Sequence, residues 1–293
     1  MLKGIVLSNI SNLYKVEVND KIYDCAARGK IKNEAISPVA GDLVSIEVQD
    51  EEKNVGVINN ICERKNYIKR PKMANLSQII LVASMKMPKP DLLLLDKQLV
   101  YAEYMSINPI ICLNKIDLEN TERIDEIYNL YKSIGYKVIK TNAKNGIGID
   151  ELKECLENNI TAFSGNSGVG KSTLINNLIG EQITEEGNIS KKNKRGKNTT
   201  TQVNLYKINQ NSYIADTPGF STFDVFEIEK NDLAKYFIEF RKYLDKCEYV
   251  DCSHIKEEKC GIKHAIQEGK ISKERYERYC QIYETIKNKK KEY

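Results

Sequence analysis

The sequence predicts a multidomain α/β protein with an OB-type β-barrel first, a P-loop domain built on a parallel sheet next, and a helical segment last. Three observations support this fold class. Short alternating strands fill the first 65 residues, strands alternate with helices from residue 78 onward, and cysteine and histidine residues cluster between positions 247 and 260. Each of these patterns is typical of one architecture, so the chain divides into three parts.

Composition sets the class of protein. The 293 residues are 41% hydrophobic and 29% charged, which is ordinary for a globular protein. The sequence has no long apolar run and no secretory leader, so we expect no membrane partner and a cytoplasmic location. The eight cysteines are then not expected to form disulfides. A net charge of +4 is too small to indicate a nucleic-acid partner by itself.

The N-terminal part reads as a five-stranded barrel, with strands predicted at residues 4–7, 14–18, 21–26, 43–48 and 57–61. OB-type barrels commonly bind oligonucleotides on one face. The residues that could contribute to such a face are Arg28, Lys30, Lys32, Tyr14 and Tyr23. A barrel whose surface lysines only keep it soluble is the alternative, and the sequence leaves both open.

A basic stretch around Pro71 reads as a linker, and the pattern then changes. Residues 78–83 form a near-continuous apolar run suited to a strand buried on both faces. Helices are predicted at residues 92–105, 123–134 and 150–157, and strands at residues 109–113 and 136–141. Alternating strands and helices indicate a parallel sheet covered by helices.

A phosphate-binding loop follows a predicted strand at residues 160–163 and precedes a predicted helix at residues 172–179. The residues that we assign to nucleotide binding are Gly165, Asn166, Ser167, Gly168, Val169, Gly170, Lys171, Ser172 and Thr173. Backbone N–H groups of the loop would cradle the phosphates. Lys171 would reach the β and γ oxygens, and Ser172 would bind Mg²⁺.

A guanine-specificity motif, Asn114-Lys115-Ile116-Asp117, comes directly after the strand at residues 109–113. The carboxylate of Asp117 can accept two hydrogen bonds that guanine offers and adenine does not. Asn142 and Ala143 follow the next strand, where a backbone N–H would meet the guanine oxygen. Four residues alone are a weak signal, and the alternative is an ordinary turn from strand to helix.

Residues that would sense the γ-phosphate lie further along the chain. A hairpin predicted at residues 203–208 and 213–215 delivers Asp216, which would hold Mg²⁺ through water, and Gly219, whose N–H would meet the γ-phosphate. The polar stretch at residues 185–201 is expected to be mobile. It contains Thr199, Thr200 and Thr201, and we favour Thr200 or Thr201 as the hydroxyl that binds Mg²⁺.

The order of these motifs is unusual. GTPases ordinarily carry the phosphate loop first and the guanine motif late, whereas here the guanine motif begins at residue 114 and the loop at residue 165. The sequence therefore predicts a circularly permuted P-loop GTPase domain. In this arrangement the Asp216–Gly219 segment runs directly into the C-terminal part, so the state of the γ-phosphate could be passed to it.

The C-terminal part contains Cys247, Cys252, His254 and Cys260, three thiols and one imidazole within fourteen residues. Four such ligands close a tetrahedral structural zinc site. The alternatives are a redox pair or unrelated surface thiols. His264 is a possible substitute ligand but is more simply a solvent-facing helix residue. An amphipathic helix is predicted from residue 272 toward residue 287.

Together these motifs resemble the RsgA (YjeQ) family of GTPases that depend on the small ribosomal subunit. The resemblance covers nearly the whole chain and implies an OB-fold RNA-binding domain at residues 1–65, a permuted GTPase domain at 66–223 and a zinc-binding helical domain at 224–293. It also implies slow GTP hydrolysis that the subunit stimulates, coupled to factor release late in subunit maturation. The implied partners are GTP or GDP, the subunit and its rRNA, and other assembly factors, with the chain acting as a monomer.

Two positions leave the catalytic water without an assigned partner. Phe220 stands where most GTPases carry glutamine, and Asn198 stands where some family members carry histidine. Neither side chain can act as a general base near neutral pH. Two competing hypotheses are a nucleotide-gated RNA-binding module that barely hydrolyses GTP and an ATPase, which the guanine motif disfavours.

Overall fold

The computed structural model describes residues 1–29, 37–180, 203–216 and 225–289. Contacts divide the chain into two compact units, which are described separately. The first unit comprises Met1–Ile80, Ile149–Ser164 and Ser172–Phe220, and the second comprises Leu81–Gly148, Gly165–Lys171 and Ser221–Tyr293. Among the described residues, no helix is both long and apolar enough to cross a membrane.

The N-terminal strands close into a barrel, as the sequence predicts. They are β1 (Leu2–Ile10), β2 (Leu13–Val18), β3 (Lys21–Ala27), β4 (Leu43–Asp50) and β5 (Val55–Ile61). Their order is β1-β2-β3-β5-β4, and β4 pairs with β1 to close the circle. The pairing of β3 with β5 is parallel, and the other pairings are antiparallel. Alternate residues, including Val16, Ile46 and Ile58, fill the interior.

The predicted oligonucleotide face of the barrel needs a correction. Tyr14 and Tyr23 belong to the barrel core, so neither ring is available to stack on a base. Arg28 lies at the surface and pairs with Glu47 at 2.9 Å. The other two basic residues named for this face, Lys30 and Lys32, lie outside the described residues. The alternating pattern alone does not distinguish an inward from an outward tyrosine, which is why the sequence misplaced them.

The basic stretch interpreted as a linker instead forms a small hairpin, β6 (Tyr67–Lys69) and β7 (Lys72–Ala74). The side-chain amide of Asn66 stabilises this hairpin, because it donates to Leu76 O at 2.8 Å and accepts from Leu76 N at 3.0 Å. Arg64 also donates to the buried carboxylate of Asp42 through two nitrogens, at 2.7 and 2.8 Å. Polar side chains thus fix a segment whose composition suggested a linker.

The central sheet has six strands, as alternating strands and helices predict. They are β8 (Gln78–Ser84), β9 (Asn108–Asn114), β10 (Lys137–Thr141), β11 (Ile160–Ser164), β12 (Asn204–Asn209) and β13 (Ser212–Asp216), in the order β10-β9-β8-β11-β13-β12. The pairs β9–β10 and β11–β13 are parallel, whereas β12 and β13 form an antiparallel hairpin. Every residue of β8 is buried, which explains its continuous apolar run.

The helices of this domain begin and end close to the predicted positions. They are α1 (Leu92–Tyr104), α2 (Thr121–Ile134), α3 (Ile149–Leu156) and α4 (Lys171–Ile179). Asp91 caps α1 by accepting a hydrogen bond from Leu94 N at 2.9 Å. Asn120 caps α2 in the same way, which moves its start two residues earlier than predicted.

The C-terminal part consists of short 3₁₀ turns followed by α5 (Gly261–Gln267) and α6 (Lys273–Lys289). Its core is aromatic, with the rings of Phe237, Phe240 and Tyr279 packed against one another at centroid distances of 5.0 to 5.2 Å. Val100 of α1 belongs to the same buried cluster. The C-terminal helices therefore share one hydrophobic core with α1.

A buried group of charges, the Arg275 cluster (Arg275, Asp96 and Glu239), reinforces this packing. The guanidinium of Arg275 on α6 donates to Asp96 of α1 and to Glu239, and neither Arg275 nor Asp96 has any exposed side-chain surface. Tyr131 of α2 donates to the same aspartate at 2.8 Å. Burial lowers the pKa of Arg275, but the two carboxylates outweigh burial and hold that pKa above its ordinary value.

Candidate functional site

Two glycines set the path of the phosphate loop between β11 and α4. Gly165 has φ +143°, and a Cβ there would lie 2.2 Å from Val82 O. Gly170 has φ +101°, and a Cβ there would lie 2.3 Å from Asn114 Nδ2. No other residue fits either position, because both the backbone angle and the space exclude a side chain. The spacing of glycines in the motif thus has a direct steric cause.

The ammonium of Lys171 lies over the loop. Its Nζ donates to Gly165 O at 2.7 Å and to Asn166 O at 2.9 Å. Burial lowers the pKa of Lys171, since the charged form loses water around it. A phosphate bound in the loop would offset that cost, which suits this lysine to an anionic ligand.

Asn114 connects the guanine motif to the loop. Its Nδ2 donates to Val169 O at 2.9 Å, and its Oδ1 accepts from Thr141 Oγ1 at 3.0 Å and from Ala143 N at 3.2 Å. The side chain is buried, so all these bonds are made away from water. One amide therefore holds together three segments that are far apart in the sequence.

Lys115 makes a second connection between the motif and the loop. Its backbone has φ +61°, an uncommon value for a residue with a side chain. Its Nζ donates to Gly168 O at 2.7 Å and to Met87 O at 2.6 Å. Asp117 lies in the following 3₁₀ turn, Ile116–Leu118, and is exposed. Its carboxylate is thus accessible to a ligand, as guanine recognition requires.

Asn142 provides an independent indication of a ligand. It is buried, and its Oδ1 accepts from Lys144 N at 3.1 Å. Its Nδ2 is buried without a hydrogen-bond partner among the described residues. A buried donor with no partner is costly unless something else accepts its hydrogen bond. The carbonyl oxygen of a guanine base fits that requirement.

Three further nucleotide residues, Ser172, Thr173 and Asp216, belong to the first unit, and Ser167 is exposed in the loop of the second unit. Ser172 and Thr173 are exposed in the first turn of α4. Asp216 ends β13 opposite Asn204, and burial raises the pKa of its carboxyl group. A nearby cation would offset that effect, which fits the predicted role in Mg²⁺ binding. The predicted residues Thr199, Thr200, Thr201 and Gly219, together with Asn198 and Phe220, lie outside the described residues.

The predicted metal ligands converge at one point. One ligand atom from each of Cys247, Cys252, His254 and Cys260 lies within 4.8 Å of all the others. His254 Nδ1 is 3.5 Å from Cys247 Sγ and 3.4 Å from Cys260 Sγ, so Nδ1 is the nitrogen that faces the thiols. A tetrahedron with metal–sulfur bonds of about 2.3 Å has edges of about 3.8 Å, so the four residues fit zinc.

The chemistry of these side chains also fits a cation. Burial raises the pKa of Cys252 to about 12 and raises that of Cys260 above its ordinary value. Burial lowers the pKa of His254. A bound cation would favour the thiolates and the neutral imidazole, which are the forms that bind metal. His264 is exposed beside Glu268 at 3.4 Å, as expected for a helix residue that is not a ligand.

Sequence reasoning missed the residues that hold the loop around the metal ligand His254 in place. The carboxylate of Glu257 accepts hydrogen bonds from Ser253 N at 3.1 Å, Ile255 N at 3.2 Å and Lys256 N at 3.2 Å. Although burial raises the pKa of Glu257, hydrogen bonds from the backbone N–H groups of Glu257, Ser253 and Ile255 and from the Ser253 hydroxyl lower it to about 2. The carboxylate thus fixes the backbone on both sides of His254.

Two tyrosines of α6 hold the same loop from the helix side. Tyr276 donates to His254 O at 2.7 Å, and Tyr279 donates to Ser253 O at 2.9 Å. Their spacing of three residues places both on one helix face. That spacing was visible in the sequence, but nothing in it identified the loop as their partner.

Comparison with protein families gives two matches. A model described as RsgA GTPase matches residues 61–226, and a model described as RsgA N-terminal domain matches residues 3–58. A relative from Clostridium novyi, named small ribosomal subunit biogenesis GTPase RsgA, is 43% identical over 285 residues, which is 97% of each chain. A relative of the same name from Alkaliphilus metalliredigens is 38% identical over 99% of this chain and 100% of its own.

Two solved structures are similar over almost the whole length. YjeQ from Thermotoga maritima is 36% identical and has a TM-score of 0.84, covering 97% of this chain and 98% of that chain. YloQ, described as a circularly permuted GTPase, is 31% identical with a TM-score of 0.84, covering 99% of this chain and 96% of that chain. The fold of this chain is therefore that of proteins already solved, one of which is described as circularly permuted.

Proposed function

The chain belongs to the RsgA GTPase family and is a GTP hydrolase, and we propose that it acts on the small ribosomal subunit to assist late maturation. The observation that carries the proposal is full-length similarity to relatives named for small-subunit biogenesis, with the motifs of the nucleotide and metal sites in place. Hydrolysis by the free protein would be slow, and the subunit would stimulate it. GTP cleavage would then time the release of this chain.

For the nucleotide, we assign guanine recognition to Asp117, Asn142 and Ala143, with Asn114 and Lys115 holding the base pocket against the loop. The loop residues Gly165 through Thr173 would bind the phosphates with their backbone N–H groups. The ammonium of Lys171 would leave the two carbonyls that it now contacts and bind the β and γ oxygens. These roles are supported by the positive φ angles of Gly165 and Gly170, by the exposed carboxylate of Asp117, and by Asn142 Nδ2, which has no partner among the described residues.

Two metals belong to the proposal. Ser172, Asp216 and a threonine of the 199–201 stretch, Thr200 or Thr201, would hold Mg²⁺, which neutralises charge that develops on the phosphates. Gly219 N–H would meet the γ-phosphate. Zinc bound by Cys247, Cys252, His254 and Cys260 would be structural, since the four protein ligands leave no open position.

Each proposed partner is assigned to one or more of the three predicted domains, residues 1–65, 66–223 and 224–293. We propose that the barrel and the zinc domain contact rRNA, while the permuted domain binds GTP or GDP. Exposed lysines and arginines of the β6–β7 hairpin would contact phosphates, so binding to the subunit would weaken with salt. A monomeric chain, a cytoplasmic location and other assembly factors as further partners are part of the same proposal.

The nucleotide assignment can be tested with two variants. Lys171→Ala should abolish GTP turnover without unfolding the chain, because it removes the contact to the β and γ oxygens and otherwise only two hydrogen bonds to loop carbonyls. Asp117→Asn should shift preference from guanine toward xanthine nucleotides, because the carboxylate that reads guanine is lost. Competition binding with GTP, XTP and ATP measures the shift. If the nucleotide preference is unchanged, Asp117 does not bind the guanine base.

A second candidate, a nucleotide-gated RNA-binding module, is favoured by one observation, the apolar Phe220 at the position of the usual glutamine. Single-turnover hydrolysis with and without small subunits separates the two functions. If this chain is a GTPase that the subunit stimulates, it cleaves bound GTP faster when small subunits are present. A pure binding switch exchanges GTP without cleaving it.

A further inference from the structure

Glu17 of the barrel is a buried carboxylate that points away from the barrel core. Its neighbours in β2, Val16 and Val18, both face the interior. Since side chains alternate along a strand, Glu17 faces outward. Its side chain is nevertheless only 7% exposed. Another part of the first unit must therefore cover it.

The β12–β13 hairpin supplies that cover. Lys207 of β12 donates to the carboxylates of Glu17 and Asp20, and Tyr213 OH of β13 donates to Glu17 Oε2 at 3.1 Å. Lys207 and Tyr213 lie opposite each other in the ladder. We call Glu17, Asp20, Lys207 and Tyr213 the hairpin anchor. One barrel carboxylate thus holds both strands of the hairpin.

The charges of the hairpin anchor are matched. Burial lowers the pKa of Lys207, but its hydrogen bonds to Asp20 and Glu17 outweigh burial and raise that pKa above its ordinary value. Burial, together with Glu17, raises the pKa of Tyr213 to about 12. At neutral pH the lysine is therefore charged and the phenol protonated, so both donate hydrogen bonds.

The hairpin carries a predicted Mg²⁺ residue. Asp216 is the last residue of β13, three positions beyond Tyr213, or about 10 Å along the strand. Asn204 of β12 pairs with Asp216, so the same ladder that contains Lys207 and Tyr213 extends to it. A change in the position of the hairpin at its anchor would thus move this carboxylate.

We propose that Glu17 is a positioning residue for GTP hydrolysis, which acts through Lys207 and Tyr213 on the strand that ends at Asp216. Through Glu17, binding of the barrel to the small ribosomal subunit changes the position of the Asp216 carboxylate in the GTPase domain. The inference rests on the proposed function, because it assumes stimulation by the subunit. It adds a residue of the N-terminal barrel to the machinery of a reaction performed by the central domain.

The experiment compares GTP turnover by full-length wild type, Glu17→Gln, Lys207→Met and Lys207→Arg, with and without small subunits. Asp24→Asn is the matched control, because Asp24 forms an exposed pair with Lys15 at 3.2 Å elsewhere on the barrel. KM for GTP and affinity for the subunit, measured by sedimentation, are recorded for every variant.

We expect Glu17→Gln and Lys207→Met to lose at least about fivefold in subunit-stimulated kcat, since small misplacements in a catalytic centre are costly. KM for GTP and subunit affinity should stay within about twofold of wild type, because neither residue belongs to the predicted base or phosphate contacts. Lys207→Arg should keep most of the stimulation, and Asp24→Asn all of it. Such a split between kcat and KM, with rescue by arginine, is not expected of a residue that only stabilises the fold.

Three results would overturn the inference. Stimulated kcat could be normal in Glu17→Gln and Lys207→Met, subunit affinity could fall in step with kcat, or Lys207→Arg could fail to rescue. If both main variants fail to fold, Tyr213→Phe decides, because it removes a single hydrogen bond to Glu17 and leaves every charge of the hairpin anchor in place. It should lose at least about half of the stimulation, and an unchanged value would reject the role. Wild-type protein without any stimulation would instead refute the proposed function itself.

Discussion

The Arg275 cluster and the hairpin anchor are both charged contacts between distant parts of the sequence, but water reaches them differently. In the Arg275 cluster, the side chains of Arg275 and Asp96 are completely buried. In the hairpin anchor, Lys207 is 28% exposed and one of its two acceptors, Asp20, is 77% exposed. A fully enclosed network cannot be rearranged without leaving a charge buried and unpaired, whereas the exposed contact between Lys207 and Asp20 can be exchanged for water.

This difference indicates two different roles. The Arg275 cluster fixes the C-terminal helices on α1, and its loss should appear as lost stability. The hairpin anchor can adjust at a low energetic cost, and its loss should appear mainly as lost stimulation of turnover.

The largest effect is expected for Arg275→Met. The substitution removes the cation that pairs with the mostly buried Glu239 and leaves the buried carboxylate of Asp96 with Arg278 alone. We expect this to cost about 3–5 kcal/mol in the free energy of unfolding. Chemical denaturation followed by tyrosine fluorescence measures the loss. The control is Arg123→Met, because Arg123 forms an exposed pair with Glu126 and should contribute less than about 1 kcal/mol. Equal losses of stability in the two variants would mean that the Arg275 cluster does not fix the C-terminal helices on α1.

An intermediate effect is expected for Glu257→Ala. Removing the carboxylate frees the backbone around His254, and supports of this kind typically change metal affinity by about 10- to 100-fold. Competition with a chromogenic chelator measures zinc affinity directly, without reference to GTP turnover. Glu258→Ala is the control, because Glu258 is exposed next to it. If both variants bound zinc like the wild type, the loop would not depend on Glu257.

The smallest effect is expected for Tyr213→Phe. The substitution removes one hydrogen bond to Glu17 but leaves Lys207 in place, so it should cost about 0.5–1.5 kcal/mol of stability. Thermal unfolding compares it with Tyr206→Phe, a half-buried tyrosine on the neighbouring strand. A loss as large as that of Arg275→Met would show that the hairpin anchor is as rigid as the enclosed cluster, and would contradict the comparison.

Much of the fold and of the candidate sites could be predicted from the sequence, because their signals are local. Gly165 and Gly170 have steric requirements that only glycine meets, and the four metal ligands are close together in the chain. The alternation of strands and helices predicted the central sheet for the same reason. Such features appear in any short window of sequence that contains them.

The supporting contacts could not be predicted, because they join residues far apart in the chain. Glu17 and Lys207 are 190 residues apart, and Arg275 and Asp96 are 179 residues apart. No spacing rule connects such pairs, and a lone charged residue usually lies at the surface. The two barrel tyrosines were misplaced for a related reason, since the side of the strand that faces the core depends on the closed barrel.

We propose that this GTPase acts on the small ribosomal subunit. The most direct test measures GTP turnover by the full-length protein with small subunits, with large subunits and with neither, at one salt concentration. We expect slow turnover by the protein alone, no change with large subunits and a rise of at least about tenfold with small subunits. The same rate in all three reactions, or equal stimulation by both subunits, would contradict it.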